Sequence, residues 1–135
     1  MKYAHPPELA PDKMDEVVRR YVAVWSEPDP GLRRDAVARL WAEDGAEFVE
    51  SAQFCGRQEL DARVTGAYKE FVDSGGFTIA SADDAVGHHD AVTFTIQLIS
   101  GSGAVAWAAR VVLIVGEDYL IRSDYQFTVI PLATP

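Results

Sequence analysis

A single cysteine, Cys55, occurs in the 135 residues, so an intrachain disulfide is excluded and a reducing, cytoplasmic setting is the expectation. Basic residues are scarce as well: 12 Lys and Arg stand against 21 Asp and Glu, a formal net charge of -9. Such a surface repels phosphate backbones and anionic headgroups, which argues against nucleic acid and membrane as partners. An anionic small molecule stays open, because one inward cation can dominate its local field. No stretch is long and apolar enough for a membrane span. The best candidate, AVAWAARVVLIVG from Ala104 to Gly116, contains Arg110 and falls short of the ~20 residues a helix needs to cross a bilayer. The opening MKYAHPPELAPDK has prolines where a signal peptide needs an apolar run.

Metal and phosphate chemistry are poorly supplied too. The chain has three histidines, and in Gly87-His88-His89-Asp90 two of them are adjacent, so on a strand they point opposite ways and a complete metal site is hard to assemble. A hairpin turn explains those residues. Cys55 precedes a helix start but has no histidine near it in sequence to activate it. The run Ser100 to Gly103 is followed by strand-like residues, so it does not present the helix amides that cradle phosphate. No metal and no cofactor is implied.

What is present fits one domain, since a chain of this length buries about two-thirds of its surface in one core. That domain is expected over residues 12–131, with loose tails at 1–11 and 132–135. Asp12 is a plausible N-cap, and Met14, Val17, Val18, Tyr21, Val22 and Trp25 recur at helical spacing. Asp29 can cap a second helix and Pro30 suits its first position. Leu32, Ala36, Val37, Leu40 and Trp41 form its stripe, and Asp44-Gly45 is expected to stop it. A short strand, Ala46 to Ser51, puts Phe48 and Glu50 on one face and Glu47 and Val49 on the other. Gly56-Arg57 opens a third helix with the stripe Leu60, Val64, Ala67, Tyr68 and Phe71, and Gly75-Gly76 ends it.

The remainder is strand-like: FTIAS, AVTFTIQLIS, AVAWAARVVLIV and YLIRSDYQFTVI are separated by DDAVGHHD, GSG and GED, which are turn chemistry. Short loops between long runs predict an antiparallel meander of four strands. The fold class is therefore α+β, with three N-terminal helices packed in a curved, mostly antiparallel sheet.

Taken in order, YVAVW, LWAEDG, FVES, CGRQELDARV and RSDYQF resemble the nuclear transport factor two-like superfamily. The likeness is in particular to its SnoaL-like branch, which is similar to ketosteroid isomerase and polyketide cyclases, and covers about Met14 to Ile130. The resemblance implies a cone with an internal cavity, a small-molecule ligand that is mostly apolar with a carbonyl or anionic oxygen, and a homodimer through the outer sheet face. It implies, too, a cofactor-independent isomerase, cyclase or hydratase type of activity, or binding without turnover. By position, Tyr21 matches the tyrosine that donates to a developing enolate. Glu50 matches the aspartate base to within a residue, and Arg110 stands where the family often has an aspartate.

Each of these residues has a second reading. Arg110 is either a cavity cation paired with Glu50 or an anionic ligand, or a side chain reaching the sheet edge. Tyr21 is either a donor or a core tyrosine, and Glu50 either a desolvated base or a solvated acid at a strand end. The expected cavity lining is Trp25, Phe48, Tyr68, Phe71, Phe94, Ile96, Val112, Ser123, Tyr125 and Phe127. Alternation sends Asp124 to the face opposite Tyr125 and Phe127, hence outward if those two face the cavity. Trp107, Val111 and Leu113, opposite Arg110, are then the expected dimer patch.

Overall fold

The computed structural model describes residues 8–133. Most of the expected loose segments, residues 1–7 and 134–135, lie outside the described residues. From Leu9 onward the chain is held: Leu9 is buried and its amide donates to the His89 carbonyl at 3.1 Å.

Helix α1 (Pro11–Val24) opens on a proline, which needs no amide partner there, so Ala10 rather than Asp12 is the N-cap. Its buried stripe is Met14, Val17, Val18, Tyr21 and Val24. Helix α2 (Pro30–Leu40) is capped as expected, the Asp29 carboxylate accepting from the Leu32 amide at 2.9 Å. Its end is not where Asp44-Gly45 suggested. Trp41 already has extended dihedrals and starts strand β1 (Trp41–Val49). There it pairs with Ile121, so sheet pairing overrides the helical periodicity. Leu32, expected inside, is 59% exposed, and Arg33 takes the buried place. Its guanidinium donates to the carbonyls of Glu27 and Pro28 and to Thr65 Oγ1, and lies 4.5 Å from the Tyr68 ring centroid.

Strand β2 (Ala52–Cys55) returns along β1 as a hairpin, and α3 (Gly56–Ala67) follows, continuing as a π-helical segment, Tyr68–Ser74, that stops at Gly75. Then come β3 (Thr78–Ser81), β4 (Val86–His88), β5 (Ala91–Ile99), β6 (Val105–Val115) and β7 (Ile121–Ile130). The seven-stranded sheet runs β2-β1-β7-β6-β5-β3, with β4 also on β5. Strands β3, β5, β6 and β7 form the expected antiparallel meander, and β1 joins β7 in parallel. β4 lies in a segment predicted to be only turn. Gly45 is required where β1 leaves Ile121: a Cβ there would stand 2.7 Å from the Ile121 carbonyl oxygen.

The faces of β6 and β7 are the reverse of those expected. On β6, Ala109, Val111, Leu113 and Val115 are buried in the core shared with the helices, whereas Arg110, Val112 and Ile114 are half-buried on the outer face. Trp107, Val111 and Leu113 therefore pack inward and cannot form a dimer patch. On β7, Asp124 is buried while Tyr125 and Phe127 are 39% and 57% exposed. Where β6 steps from Ile114 to Val115, its partner steps from Ser123 to Ile121. Arg122 is thus an extra residue, and the bulge lets Ile121 and Asp124 face in together.

Candidate functional site: an apolar pocket backed by buried acids

Between α3, its π-helical continuation and the inner faces of β5 to β7 lies a pocket of about 160 Å³. Its wall is mostly aromatic and aliphatic: Trp25, Phe71, Ile96, Leu98 and Trp107 among others, with Leu132 also lining it. The polar side chains reaching it are Arg63, Gln97 and Gln126. Arg63 arrives there because it sits three residues after Leu60 and one before Val64, at the margin of the α3 stripe.

Arg63 and Gln126 both hold Glu47. The Arg63 Nε donates to Glu47 Oε1 at 2.9 Å, and the Gln126 amide nitrogen donates to Glu47 Oε2 at 2.9 Å and to the Tyr21 hydroxyl at 2.6 Å. Asp124 is the register partner of Glu47 on the neighbouring strand, so two carboxyls stand side by side beneath the pocket wall. Tyr21, Glu47 and Asp124 are all fully buried. Among the described residues no hydrogen bond of good geometry reaches either Asp124 oxygen, and the Tyr21 hydroxyl is close enough for a weak one that couples the two protons.

The protonation of these groups follows from that placement. Burial pushes the Asp124 carboxyl well above the ordinary carboxylate range, and the charge of Glu47 pushes it further. Glu47 is raised by burial against the opposing pull of Arg63. Burial raises the Tyr21 phenol well above its usual value, with the charges of Asp124 and Glu47 adding to the effect. One guanidinium thus serves two buried acids, and the arrangement favours an ionised Glu47 on Arg63 beside a neutral Asp124.

The residues expected to carry chemistry divide accordingly. Tyr21 is in the cluster. Glu50 is not: β1 ends at Val49, so Glu50 lies in the β1–β2 turn and is exposed, while Glu47, on the opposite face from Phe48, is buried. Arg110 is on the outer face, where its Nη1 donates to Asp84 Oδ2 at 2.7 Å and to Thr95 Oγ1 at 3.2 Å, with both partners of the ion pair about one-third exposed.

Of the expected lining, Trp25, Phe71 and Ile96 line the pocket. Phe94 is core, edge-on to Tyr21 with centroids 5.5 Å apart, and Tyr68 packs on Arg33. Phe48 and Tyr125 stack on each other at 4.8 Å, on the outer face that also carries Phe127, Val112 and Ser123, so these five do not line the pocket. Sequence reasoning missed Glu47, Arg63, Asp124 and Gln126. A charged residue inside an apolar helical stripe was the available signal for Arg63. Among the described residues no cluster of three or more His, Cys, Asp or Glu could hold a metal ion, and no helix is long and apolar enough to cross a membrane.

Neither a family model nor a curated protein matches the sequence. Solved structures do. A candidate isomerase of the SnoaL-like family from Agrobacterium tumefaciens superposes with a TM-score of 0.78 at 25% identity, covering 87% of this chain and 97% of that one. A candidate polyketide cyclase from Sinorhizobium meliloti gives 0.63 at 15% identity, over 84% and 97%. A de novo designed protein of the NTF2 fold gives 0.67 at 17% identity, over 92% and 88%. The chain therefore shares the fold of SnoaL-like and nuclear transport factor two-like proteins. The designed protein shows why function has to be argued from the site.

Proposed function

We propose that this protein binds a small, largely apolar molecule in the Trp25–Phe71–Ile96–Trp107 pocket and moves protons on it without a cofactor. The observation that carries the reading is that both of the side chains linking the pocket to the interior, Arg63 and Gln126, are bonded to the same buried carboxylate, Glu47. A carbonyl or anionic oxygen would meet Arg63 and Gln126. Glu47, behind them, becomes reachable by rotation of either side chain and is the acid–base group. Its burial supports that role, since a base working near neutral pH needs a raised proton affinity. Tyr21 beside a neutral Asp124 resembles the tyrosine and protonated aspartic acid with which a ketosteroid isomerase stabilises an enolate. Here Gln126 stands between Tyr21 and the pocket, so Tyr21 positions Gln126. Isomerisation, cyclisation and hydration all remain consistent with such a site, and cytoplasmic residence fits the exposed free thiol of Cys55.

The test uses cyclohexanone in heavy water, with exchange of its α-protons followed by NMR. The wild-type protein should accelerate exchange, and Glu47→Gln should abolish the acceleration while binding the ketone within a few-fold. Wild-type protein that binds the ketone and exchanges it no faster than Glu47→Gln would leave a binding module, the alternative from the same pocket.

A second reading, association through the outer sheet face, is favoured by one observation: Tyr125, Phe127 and Val129 are 39%, 57% and 58% exposed on β7. Phe127→Glu should convert dimers to monomers in sedimentation with the pocket intact, and a wild-type monomer would dispose of it.

A further inference from the structure

Arg63 is placed between the solvent-facing pocket and the buried acids, and only part of its hydrogen-bonding capacity is in use. Its Nε is committed to Glu47, and no hydrogen bond to either Nη is found among the described residues. The guanidinium lies against two rings, 5.4 Å from the Trp25 centroid and 5.0 Å from that of Phe54, contacts that do not use up its remaining N–H donors. A free guanidinium edge is the geometry that takes a carboxylate through two parallel hydrogen bonds.

The charges facing Glu47 are few: Arg63 from α3 and Asp124 from β7, with Tyr21 from α1 and the neutral Gln126 from β7 completing its surroundings. Among the described residues Arg63 is the one cation bonded to Glu47. If an anion arrives on Arg63 while Glu47 stays ionised, the site holds one uncompensated negative charge away from water, which is costly. Protonation of Glu47 removes that cost.

We propose that the pocket takes a small apolar monocarboxylate, its carboxylate on the Nη edge of Arg63, and that Glu47 takes up one proton from solvent as the ligand binds. The proposal rests on the reading of this pocket as the ligand site and names the ligand class. The volume sets the size: a cavity of about 160 Å³ compares with the ~150 Å³ that accommodates benzene in an engineered protein cavity, so a single six-membered ring fits. Burial already raises the proton affinity of Glu47 and Arg63 opposes it. A ligand that shares Arg63 removes part of that opposition.

Benzoate and its neutral isostere benzamide test this by titration calorimetry at about pH 6.5, where benzoate is ionised, in buffers of different ionisation enthalpy. Benzoate should bind at least about tenfold more tightly than benzamide, with close to one proton taken up per ligand. As pH rises through the range in which the free protein loses the Glu47 proton, benzoate affinity should fall by up to about tenfold per pH unit, since the proton must then be recovered. Glu47→Gln should bind benzoate with no proton uptake and with affinity independent of pH. Arg63→Lys, which keeps the charge and loses the fork, should bring benzoate down toward benzamide and separates lost recognition from lost folding. Benzoate bound without proton uptake, or no more tightly than benzamide, overturns the inference. Binding of benzamide or cyclohexanone without benzoate overturns it and leaves the pocket reading standing, whereas binding of none of the three overturns both.

Discussion

Asp124→Asn replaces a fully buried carboxyl, which has no well-formed hydrogen bond among the described residues, by a neutral group of the same shape. In the folded protein, burial and then the neighbouring Glu47 charge raise the Asp124 carboxyl well above its ordinary value. In the unfolded chain it titrates near ~3.9. Between those two values the folded state holds a proton that the unfolded state has released, so stability falls as pH rises, by about 1.4 kcal/mol per pH unit for the one proton. Below the unfolded value both states are protonated and the stabilisation is complete. Asparagine abolishes this contribution. The difference in unfolding free energy between variant and wild type should therefore grow in favour of the variant by about 1.4 kcal/mol per pH unit over the range in which only the folded protein keeps the Asp124 proton. The new amide hydrogens add a constant cost of about 1–3 kcal/mol if they find no acceptors, which shifts the line without changing its slope. Urea unfolding at a series of pH values measures that slope. A difference independent of pH would mean that Asp124 is ionised and partnered in the folded protein, and the electrostatic account of the cluster would be wrong.

Arg110→Ala should cost under about 1 kcal/mol, because its ion pair with Asp84 is solvent-accessible, and should leave ligand affinity unchanged in calorimetry; loss of ligand binding would return Arg110 to the pocket. Glu50→Gln should alter neither ketone exchange nor stability, in contrast to Glu47→Gln in the same NMR assay. Arg33→Ala should destabilise by roughly 3 kcal/mol in urea unfolding, since the carbonyls of Glu27 and Pro28 and the Thr65 hydroxyl all lose a buried donor, and a loss below about 1 kcal/mol would show that water replaces it. Gly45→Ala should cost on the order of 1–3 kcal/mol by forcing β1 away from the Ile121 carbonyl; a neutral substitution would show that the strands can part freely there.

How far the sequence carried the fold depends on the kind of signal. The Asp29-Pro30 start of α2 was readable because capping is local chemistry, and the meander was readable from turns between alternating runs. The faces were not. Alternation correctly set Arg110 against Val111 and Asp124 against Tyr125, but a period of two does not say which set is inside. On β6 both sets are apolar apart from Arg110, so composition offered no arbiter, and choosing Arg110 as inward inverted β7 with it. The bulge at Arg122 has no sequence mark. The acid was misplaced for a related reason: alternation sets Glu50 with Phe48 and Glu47 with Val49 without saying which pair is inside, and the resemblance pointed to within a residue of Glu50, whereas Glu47 is the buried acid. Arg63 was the residue most open to discovery, since a guanidinium beside Leu60 and Val64 interrupts an apolar stripe and calls for a partner.

The account stands on Arg63 joining the pocket to Glu47, and its Nε–H resonance reports on that directly. In ¹⁵N-correlated NMR spectra of the wild-type protein the Arg63 Nε–H, bonded to Glu47, should be protected from exchange with solvent and should move on saturation with benzoate, while the Arg110 side-chain resonance stays in place. A mobile Arg110 signal with Arg63 unmoved would contradict the account.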